Sequence, residues 1–354
     1  YIDPAASGQP DGSAANPWPS ISAALKSGQI TGGDEIRLQA GSYGEVILSG
    51  ASFDTPVSFI TDPDNPAHFE YLEVGRGRNM IFDGLEVFPE PGNPRKGPLI
   101  AINADFIELR NLDIKSRKDA DGYMGWSQQD WLDNRRGGIL IKGADAILRD
   151  SQLTAVAFAI GTTGPRAQVL KNHVRGFSGD AMRGLGDGSV FRGNTVQDCT
   201  KIDANHDDGF QSWSIGAGGK SGTGTVRDIT IDANTILEWT GDPNHPLRCP
   251  LQGVGLFDGV YDGFVISNNV IVVSGFHGIA VGGGTNVTIV NNTLINSRGV
   301  SRKAPWITIT EKYRGMPATG NVVANNIAAL FQFSKGFEAQ GGNIVVDNFV
   351  VTYP

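Results

Sequence analysis

A short motif that recurs every 22 to 23 residues is the feature that most constrains this chain. Alternating apolar residues, a turn and an Asn repeat through the C-terminal half, so that Asn172 precedes Asn194 by 22 positions and Asn269 precedes Asn292 by 23. Two short strands with alternating side chains and one tight turn fill such a period. The repeat therefore predicts short coils that stack into a solenoid.

The Asn of each repeat is expected to bond to the Asn of the next coil. We predict that Asn194, Asn234, Asn269 and Asn292 stack as a ladder at one corner of the solenoid. We also expect these Asn residues to adopt positive φ, because Asn tolerates the left-handed region better than most residues.

The composition of the repeat selects one class of solenoid. Its apolar positions are mostly Val and Ile, whereas a leucine-rich repeat requires a regular leucine framework. The 48 glycines, in a chain that is 40% hydrophobic, are typical of many tight turns between short strands. We predict an all-β chain, a single-stranded right-handed parallel β-helix that forms one domain over 1–354. The cap region covers 1–45, with a short helix over 19–26 closing the open end, and the coils cover 46–350.

Four insertions interrupt the repeat. They are predicted at about 116–136, 214–225, 239–250 and 298–306. Insertions in solenoids tend to emerge on one face, which is often the binding face. Trp126 and Trp131 in the first insertion are candidates for sugar-stacking residues, and the alternative is that they anchor the loop.

Charge and cysteine content limit the partners. The net charge of -8 and the pI of about 5.2 argue against nucleic acid and anionic membranes, and no run of eighteen apolar residues is present. An acidic polysaccharide remains possible if its site carries local positive charge or a metal ion.

Cys199 and Cys249 form either a disulfide or two free buried thiols. The chain begins at Tyr1, which we take as a sign of processing, and we expect a secreted or periplasmic bacterial protein of undetermined oligomeric state.

Several segments resemble known β-helix proteins. The stretches 1–4, 11–18, 33–38 and 41–45 (YIDP, DGSAANPW, GDEIRL and GSYGE) resemble the opening of the pectate-lyase-like superfamily. That superfamily includes polysaccharide lyases acting on pectate and alginate, so the resemblance implies the β-helix fold and a carbohydrate substrate. Residues 205–213 are similar to a His-x-Asp-x-x-Gln-x-Trp motif of bacterial β-helix proteins.

A more local similarity involves inverting polygalacturonases. The pair Asp207-Asp208 and the segment 274–282, which contains His277, resemble motifs of that family, with Asp180 in the place of a third carboxylate. Here His277 lies two coils beyond the acidic pair, where that family has it in the next coil. No Arg-x-Lys partner follows.

Aligning the repeats predicts which side chains share a face. One column should contain Asp180, Asp208, Gln252 and His277. The outward residues of the same strands should form a second column of Leu140, Ala159, Arg183, Gln211, Gly255 and Ala280, and a third of Lys142, Leu185, Trp213 and Phe257. Polar and titratable residues concentrate in the middle coils, which places the candidate site between about 180 and 277.

The candidate residues support several chemistries. The predicted catalytic residues are Asp180, Arg183, Lys201, His206, Asp207, Asp208 and His277. The predicted substrate-binding residues are Gln211, Trp213, Gln252, Arg248, Phe257, Trp126 and Trp131. Stacked carboxylates cannot all stay ionised cheaply, so we expect Asp180, Asp207 or Asp208 to bind Ca²⁺ or to pair with Arg183 or Lys201.

We favour β-elimination of a uronate-containing acidic polysaccharide, with Arg, Lys or His as base and carboxylate neutraliser. An inverting hydrolase, a uronate C5-epimerase and a non-catalytic glycan-binding surface protein are the alternatives. We expect Asp208→Asn to abolish turnover and leave the fold intact, because Asp208 should face outward.

Overall fold

Three long parallel sheets run the length of the molecule, and the chain passes through each of them once per coil. The computed structural model describes residues 1–298, 305–311, 318–333 and 341–345. Each strand pairs in parallel with the corresponding strand of the coils before and after it. This confirms the all-β parallel β-helix predicted from the repeat.

The strands fall into three sheets of eleven, twelve and eleven among the described residues. The first sheet contains Glu35–Leu38, Ala51–Thr61, Gly77–Asp83, Asp105–Arg110, Ile147–Arg149, Gln168–Leu170, Val190–Arg192, Thr230–Asp232, Val265–Ser267, Thr288–Val290 and Val322–Ala324. The second sheet contains Gly41–Ser42, Ala67–Phe69, Glu86–Val87, Asp113–Lys115, Gln152–Val156, His173–Phe177, Thr195–Cys199, Thr235–Leu237, Val270–Val273, Thr293–Asn296, Ile327–Ala328 and Ile344–Val345. The third sheet contains Glu45–Leu48, Tyr71–Val74, Pro98–Ile102, Gly137–Ile141, Ile160–Thr162, Met182–Gly184, Asp208–Trp213, Gln252–Asp258, His277–Gly282, Trp306–Thr310 and Leu330–Phe333.

A short helix lies at the N-terminal end, where the sequence predicts a cap. Helix α1 spans Ile21–Lys26, and Ser20 caps it by accepting a hydrogen bond from the Ala23 backbone N–H at 3.1 Å. Ile21 and Ala24 are buried in the main apolar cluster. The helix thus covers apolar residues of the first coils that an open solenoid end would expose.

The interior is a continuous column of apolar side chains. Residues of equivalent position stack on one another, as Phe59 and Phe82 do with ring centroids 5.2 Å apart. Where strands of the third sheet begin, the inward position is small, because a Cβ on Gly209 would lie 2.6 Å from Ile236 Cγ2. The same tight corner brings Asp208, the preceding residue, to the outer side.

The Asn ladder is confirmed and is longer than predicted. The amide nitrogen of each Asn donates to the side-chain oxygen of the next, from Asn172 to Asn194 at 3.0 Å and from Asn194 to Asn234 at 2.9 Å. The series continues through Asn269, Asn292, Asn326 and Asn343. The prediction that these Asn residues have positive φ is wrong. The residue before each Asn has the positive φ, as at Lys171, Ala233 and Asn268, because the turn precedes the residue whose amide enters the interior.

The first insertion is a folded cap on the side of the solenoid. It contains a 3₁₀ helix over Ala120–Gly125 and helix α2 over Gln128–Asp133. Trp126 and Trp131 are buried in a second apolar cluster, with ring centroids 5.2 Å apart. The prediction that they bind sugar is therefore wrong: these indoles anchor the insertion and present no stacking surface to solvent.

The insertion at 239–250 is held by a disulfide and a buried ion pair. Cys199 and Cys249 are bonded to each other. The Arg248 guanidinium lies 2.8 Å from a carboxylate oxygen of the fully buried Glu238, and it also donates to Ser297. The prediction that Arg248 binds substrate is therefore wrong, because its guanidinium is already bonded to Glu238 and Ser297.

The other two insertions differ in what can be described. The Gly-rich insertion contains a 3₁₀ turn over Ala217–Gly219, and the chain then enters a small fourth parallel sheet of Thr225–Arg227, Val260–Asp262 and Gly284–Thr285. Residues 299–304, which make up most of the last predicted insertion, lie outside the described residues.

Candidate functional site

The candidate residues gather on the outer face of the third sheet. Asp208 pairs in register with Gln252, and His277 pairs with Trp306. The pairings Met182 with Phe210 and Val254 with Ile279 extend the register, so Asp180 and His277 belong to the same column. The predicted column of Asp180, Asp208, Gln252 and His277 is confirmed, with about 4.8 Å between coils.

The two other predicted columns are right except at two positions. Gly161, and not Ala159, lies between Leu140 and Arg183, because Ala159 is a fully buried interior residue. Trp213 pairs with Asp258 and not with Phe257, because the register shifts after Ser212. Neither irregularity follows from the repeat, and the second lies where the Gly-rich insertion begins.

Asp180 and Arg183 form an ion pair at the centre of the site. The Arg183 Nε donates to Asp180 Oδ2 at 2.7 Å, and its guanidinium carbon lies 3.6 Å from the Phe158 ring centroid. Asp180 is 1% exposed, and its other oxygen accepts the Asp208 backbone N–H at 3.1 Å. Burial raises the pKa of Asp180, and the Arg183 charge opposes that rise. The pair fixes a partly exposed guanidinium in one orientation.

Asp207 and Lys201 form a second pair of the same kind. The Lys201 ammonium lies 3.2 Å from Asp207 Oδ2 and also donates to the Asn205 backbone carbonyl. The Asn205 amide donates to the other Asp207 oxygen at 3.1 Å. Burial raises the pKa of Asp207, and the Asn205 amide and Lys201 lower it. The expected pairing of the carboxylates with Arg183 or Lys201 is confirmed by both pairs.

Asp208 is directed to the outer face but is covered there. It is 1% exposed, and Gln211 donates to its Oδ2 at 3.1 Å. A Cβ on Gly255 in the next coil would lie 2.7 Å from its Oδ1, so only glycine leaves room for the carboxyl group. Burial, followed by the charges of Asp180 and Asp207, raises the pKa of Asp208 well above its ordinary value. The prediction that Asp208 faces solvent is therefore wrong.

His277 and His206 differ in their surroundings. His277 is half-buried among Phe257, Phe276 and Trp306, at ring-centroid distances of 4.8, 4.1 and 5.4 Å. Burial, and then the nearby His206, lowers the pKa of His277 to about 4. The imidazole of His277 is therefore neutral near pH 7. His206 is exposed, and its ring has no hydrogen-bond partner in the part of the chain that the structure describes.

Unpartnered polar atoms follow one another along the confirmed column. They are Asp208 Oδ1, Gln252 Oε1, His277 Nδ1 and Trp306 Nε1, each buried and without a hydrogen bond among the described residues. Buried polar atoms are normally satisfied. Eight further atoms of this kind lie elsewhere among the described residues, so it is the run of four in successive coils that marks this column as the candidate site.

The predicted substrate-binding residues Gln211, Trp213 and Phe257 come together. They line a cavity of about 220 Å³ beside Ser221 of the Gly-rich insertion. The Trp213 ring centroid is 5.3 Å from the Arg183 guanidinium carbon, which connects this cavity to the central ion pair. Gln252 lies one coil farther on, in register with Asp208.

The donor set does not fit the expected Ca²⁺ site. Calcium takes six to eight oxygen ligands, whereas Asp180 and Asp207 are already bonded to Arg183, Lys201 and Asn205. Only one carboxylate oxygen of the three, Asp208 Oδ1, has no partner among the described residues. The only group of three metal-ligand side chains that converges in this part of the chain is Cys199, Asp207 and Cys249, and its two thiols are oxidised to the disulfide.

Some contributors to the site have no signal in the sequence. Phe158, which stacks on Arg183, reads as one more apolar residue of a strand, and Asn205 reads as a turn residue. Trp306 enters the column only because the strand after an insertion returns to the third sheet. Of these three, only Asn205 directly precedes candidate residues in the sequence, His206 and Asp207.

Comparison with known proteins agrees with the architecture. The family model described as "Right handed beta helix region" matches residues 130–299. This chain is a right-handed parallel β-helix protein. The fold that the resemblance to the pectate-lyase-like superfamily implies is thus confirmed. No curated protein matches the sequence.

Similar solved structures have low sequence identity. The Dettilon tailspike protein is 14% identical with a TM-score of 0.55, and the match covers 96% of this chain and 64% of that one. A PL6 family polysaccharide lyase from Pseudopedobacter saltans is 12% identical with a TM-score of 0.48, covering 92% and 90% of the two chains. The pectate lyase Pel9A is 15% identical with a TM-score of 0.44, covering 92% and 78%. At these identities the likeness concerns the fold alone.

None of the described helices is long and apolar enough to cross a membrane.

Proposed function

We propose that this protein cleaves a uronate-containing acidic polysaccharide by β-elimination. The observation that carries the proposal is the pair of buried carboxylates that each hold a cationic group at the surface of one sheet. Asp180 holds Arg183 at 2.7 Å, and Asp207 holds Lys201 at 3.2 Å. The groups available to a substrate there are cations and an imidazole, with the carboxylates behind them.

Arg183 is suited to neutralise the uronate carboxylate. Elimination begins with loss of the proton next to that carboxylate, and a fixed cation stabilises the charge that develops there. The Arg183 guanidinium stays protonated, and it is immobilised by Asp180 on one side and Phe158 on the other. It therefore supports charge stabilisation and not proton transfer.

His206 and Lys201 are suited to the two proton transfers. The exposed His206 imidazole takes the C5 proton, and the electron pair forms the C4–C5 double bond. The C4–O bond breaks, and the leaving oxygen takes a proton from the Lys201 ammonium, which Asp207 and the Asn205 carbonyl hold in place. Asp208 acts behind these groups as a positioning residue through its bond to Gln211.

The same contacts argue against the hydrolase alternative. Inverting hydrolysis requires two reachable carboxyl groups about 6.5–9.5 Å apart with a water between them. Asp180 and Asp208 are 1% exposed each, they are neighbours in one column, and Asp180 Oδ1 accepts the Asp208 backbone N–H. A C5-epimerase shares the first step and differs only in how the proton returns, so the products must distinguish it.

An exported location accompanies this proposal. The Cys199–Cys249 disulfide is stable in an oxidising compartment, such as the periplasm or the cell exterior, where polysaccharides of this kind occur. The local cations meet the requirement that an acidic substrate places on a protein of net charge -8.

The proposal is tested by incubating the protein with alginate, polygalacturonate and a polyglucuronate. Ultraviolet absorbance detects the unsaturated product, and a reducing-end assay counts all cleavages. We expect the two signals to rise together with one of these polymers. In Arg183→Lys, kcat should fall about 10²-fold, because lysine cannot reproduce the fixed planar fork. Arg192→Lys is the control, since Arg192 forms an exposed ion pair with Asp232 on the first sheet.

New reducing ends without ultraviolet absorbance would show that the protein hydrolyses the polymer and would contradict elimination. Binding of a polymer without any turnover would support the non-catalytic glycan-binding alternative. An equal loss in both arginine variants would remove Arg183 from the chemistry.

A further inference from the structure

A large cavity opens on the third sheet on the N-terminal side of Arg183. It has a volume of about 600 Å³, within the range of small-ligand sites. Arg183 forms one wall, and the other walls come from the end of the first insertion and from the segment 96–98. Arg183 lines the cavity and also belongs to the proposed cleavage site. The cavity is therefore continuous with that site.

The charged residues that line this cavity are all cations. They are Lys96, Arg135 and Arg183, and no carboxylate is among the lining residues. Arg183 is balanced by Asp180, and Arg135 pairs with Asp203 at 2.9 Å. Lys96 makes no ion pair among the described residues. In a protein of net charge -8, a cavity with one unbalanced cation and two further cationic walls favours an anionic ligand.

The floor of the cavity is apolar. Leu140 and Gly161 are neighbours on the sheet, and Phe158, Pro98 and Leu132 are further apolar lining residues. An apolar floor with cations at the rim matches a sugar ring that has one face of C–H groups and a carboxylate at its edge. A simple inorganic anion would use the cations and leave the floor unused.

We infer that this cavity binds one uronate residue of the polysaccharide, adjacent to the residue at which the chain is cleaved. Its carboxylate lies at Lys96 and Arg135, and its ring lies over Leu140 and Gly161. The identity of the polymer rests on the proposed function, whereas the anionic and saccharide character of the ligand rests on the cavity itself.

Charge-removing variants test the cationic rim. Lys96→Gln and Arg135→Gln should each raise KM for the polymer severalfold and together about tenfold, with kcat changed less than KM, because they remove binding remote from the reacting bond. The effect should shrink at high salt. Lys26→Gln on α1 and Arg166→Gln are the matched controls, because neither residue lines the cavity and Arg166 pairs with Asp145 at 2.6 Å.

A steric variant tests the floor without changing any charge. A Cβ on Gly161 would lie 3.3 Å from the flexible end of Leu140, and no backbone atom is closer than 3.8 Å. Gly161→Leu therefore fills the cavity from an outward position and should leave the melting temperature close to that of the wild type. We expect KM to rise at least tenfold.

Two readouts separate this inference from the proposed function. If the wild type cleaves a polyuronate and neither the paired charge variant nor Gly161→Leu changes KM, the cavity inference is wrong and the function stands. If no polymer is cleaved, calorimetric binding of polyuronate fragments still tests the cavity. Binding that Gly161→Leu abolishes supports the cavity while the function fails, and binding unaffected by all three variants contradicts the cavity.

Discussion

Two buried polar columns run along this solenoid. The hydrogen-bonding groups are all satisfied in one column and partly unsatisfied in the other. In the Asn column, the Asn234 amide donates both hydrogens, to Phe191 O and Asn269 Oδ1, and its oxygen accepts from the backbone and side chain of Asn194. Every group is neutral and satisfied, and the same contacts repeat from coil to coil.

The acidic column has the contrary properties. Asp180 and Asp208 are in successive coils, burial raises the pKa of both, and Asp208 Oδ1 is one of four orphaned atoms along the column. The satisfied column runs from Asn172 to Asn343, whereas the orphaned atoms of the other column lie between Asp208 and Trp306. Unsatisfied polar groups are retained in folded proteins mainly where function requires them. The difference supports a scaffold role for the Asn column and agrees with the proposal that the acidic column carries the chemistry.

The largest expected effect is on turnover and concerns His206. In His206→Gln, kcat should fall 10²–10⁴-fold, because the general base is lost. The melting temperature should stay unchanged, because the side chain is exposed. His173→Gln is the control, since that ring lies on the second sheet and bonds to Gln197. Unchanged kcat in His206→Gln would move the base to another residue.

The next effect is on stability and concerns the Asn ladder. Asn234→Ala removes four hydrogen bonds and leaves buried partners unsatisfied, which we expect to lower the free energy of unfolding by on the order of 3 kcal/mol. Turnover well below the melting temperature should persist. Denaturant titration measures the loss, and Asn244→Ala on an exposed loop serves as control. A loss below that of the control would contradict the scaffold role.

A smaller effect concerns Asp208 and depends on pH. Its folded pKa lies above the unfolded value of about 3.9, so its contribution to stability is fully present below pH 4 and is lost as pH rises through the folded pKa. Asp208→Asn should match the wild type in acid and become the more stable protein toward neutral pH. Melting temperatures across pH measure this difference. A variant that becomes relatively less stable as pH rises would contradict the raised pKa.

The turnover of the same variant is a separate expectation. The prediction from the sequence is that Asp208→Asn abolishes turnover, and it rests on an accessible carboxylate. The carboxyl is buried, and Asn retains an oxygen for the Gln211 amide. We therefore expect kcat to fall by about tenfold or less, clearly less than in His206→Gln. An equal loss in both variants would make Asp208 a catalytic residue.

The smallest expected effect is that of a chelator. Because the carboxylates are bonded to Arg183, Lys201 and Asn205, removing divalent cations should leave kcat and melting temperature within experimental error. Loss of activity with EDTA that Ca²⁺ restores would overturn this account of the acidic corner.

The regular parts of the fold follow from the sequence because one coil specifies the next. The 22-residue spacing of Asn172 and Asn194 is sufficient to predict their contact, and alignment of the repeated strands places Asp180, Asp208, Gln252 and His277 in one column. Periodicity identifies which side chains share a face. It contains no information on how closely they are covered.

The irregular parts depend on contacts that no repeat encodes. Gly161 replaces Ala159 in the outward column because Ala159 is an interior residue, and Trp213 slips by one where the Gly-rich insertion begins. Trp131 and Arg248 are polar-loop residues by sequence and buried anchors in the structure, since Trp131 packs in the apolar cluster of the first insertion and Arg248 pairs with the buried Glu238. The burial of Asp208 likewise arises from the adjoining coil.

The most direct test of the proposed chemistry is product analysis in oxygen-18-labelled water. The wild-type protein is incubated with the polyuronate that it cleaves, and the oligosaccharides are examined by mass spectrometry. Elimination by Arg183, His206 and Lys201 predicts fragments with an unsaturated terminal residue and no solvent oxygen introduced by the cleavage itself, after correction for exchange in an inactive-enzyme control. Saturated fragments that carry the label at the new reducing end would contradict elimination and make the protein a hydrolase.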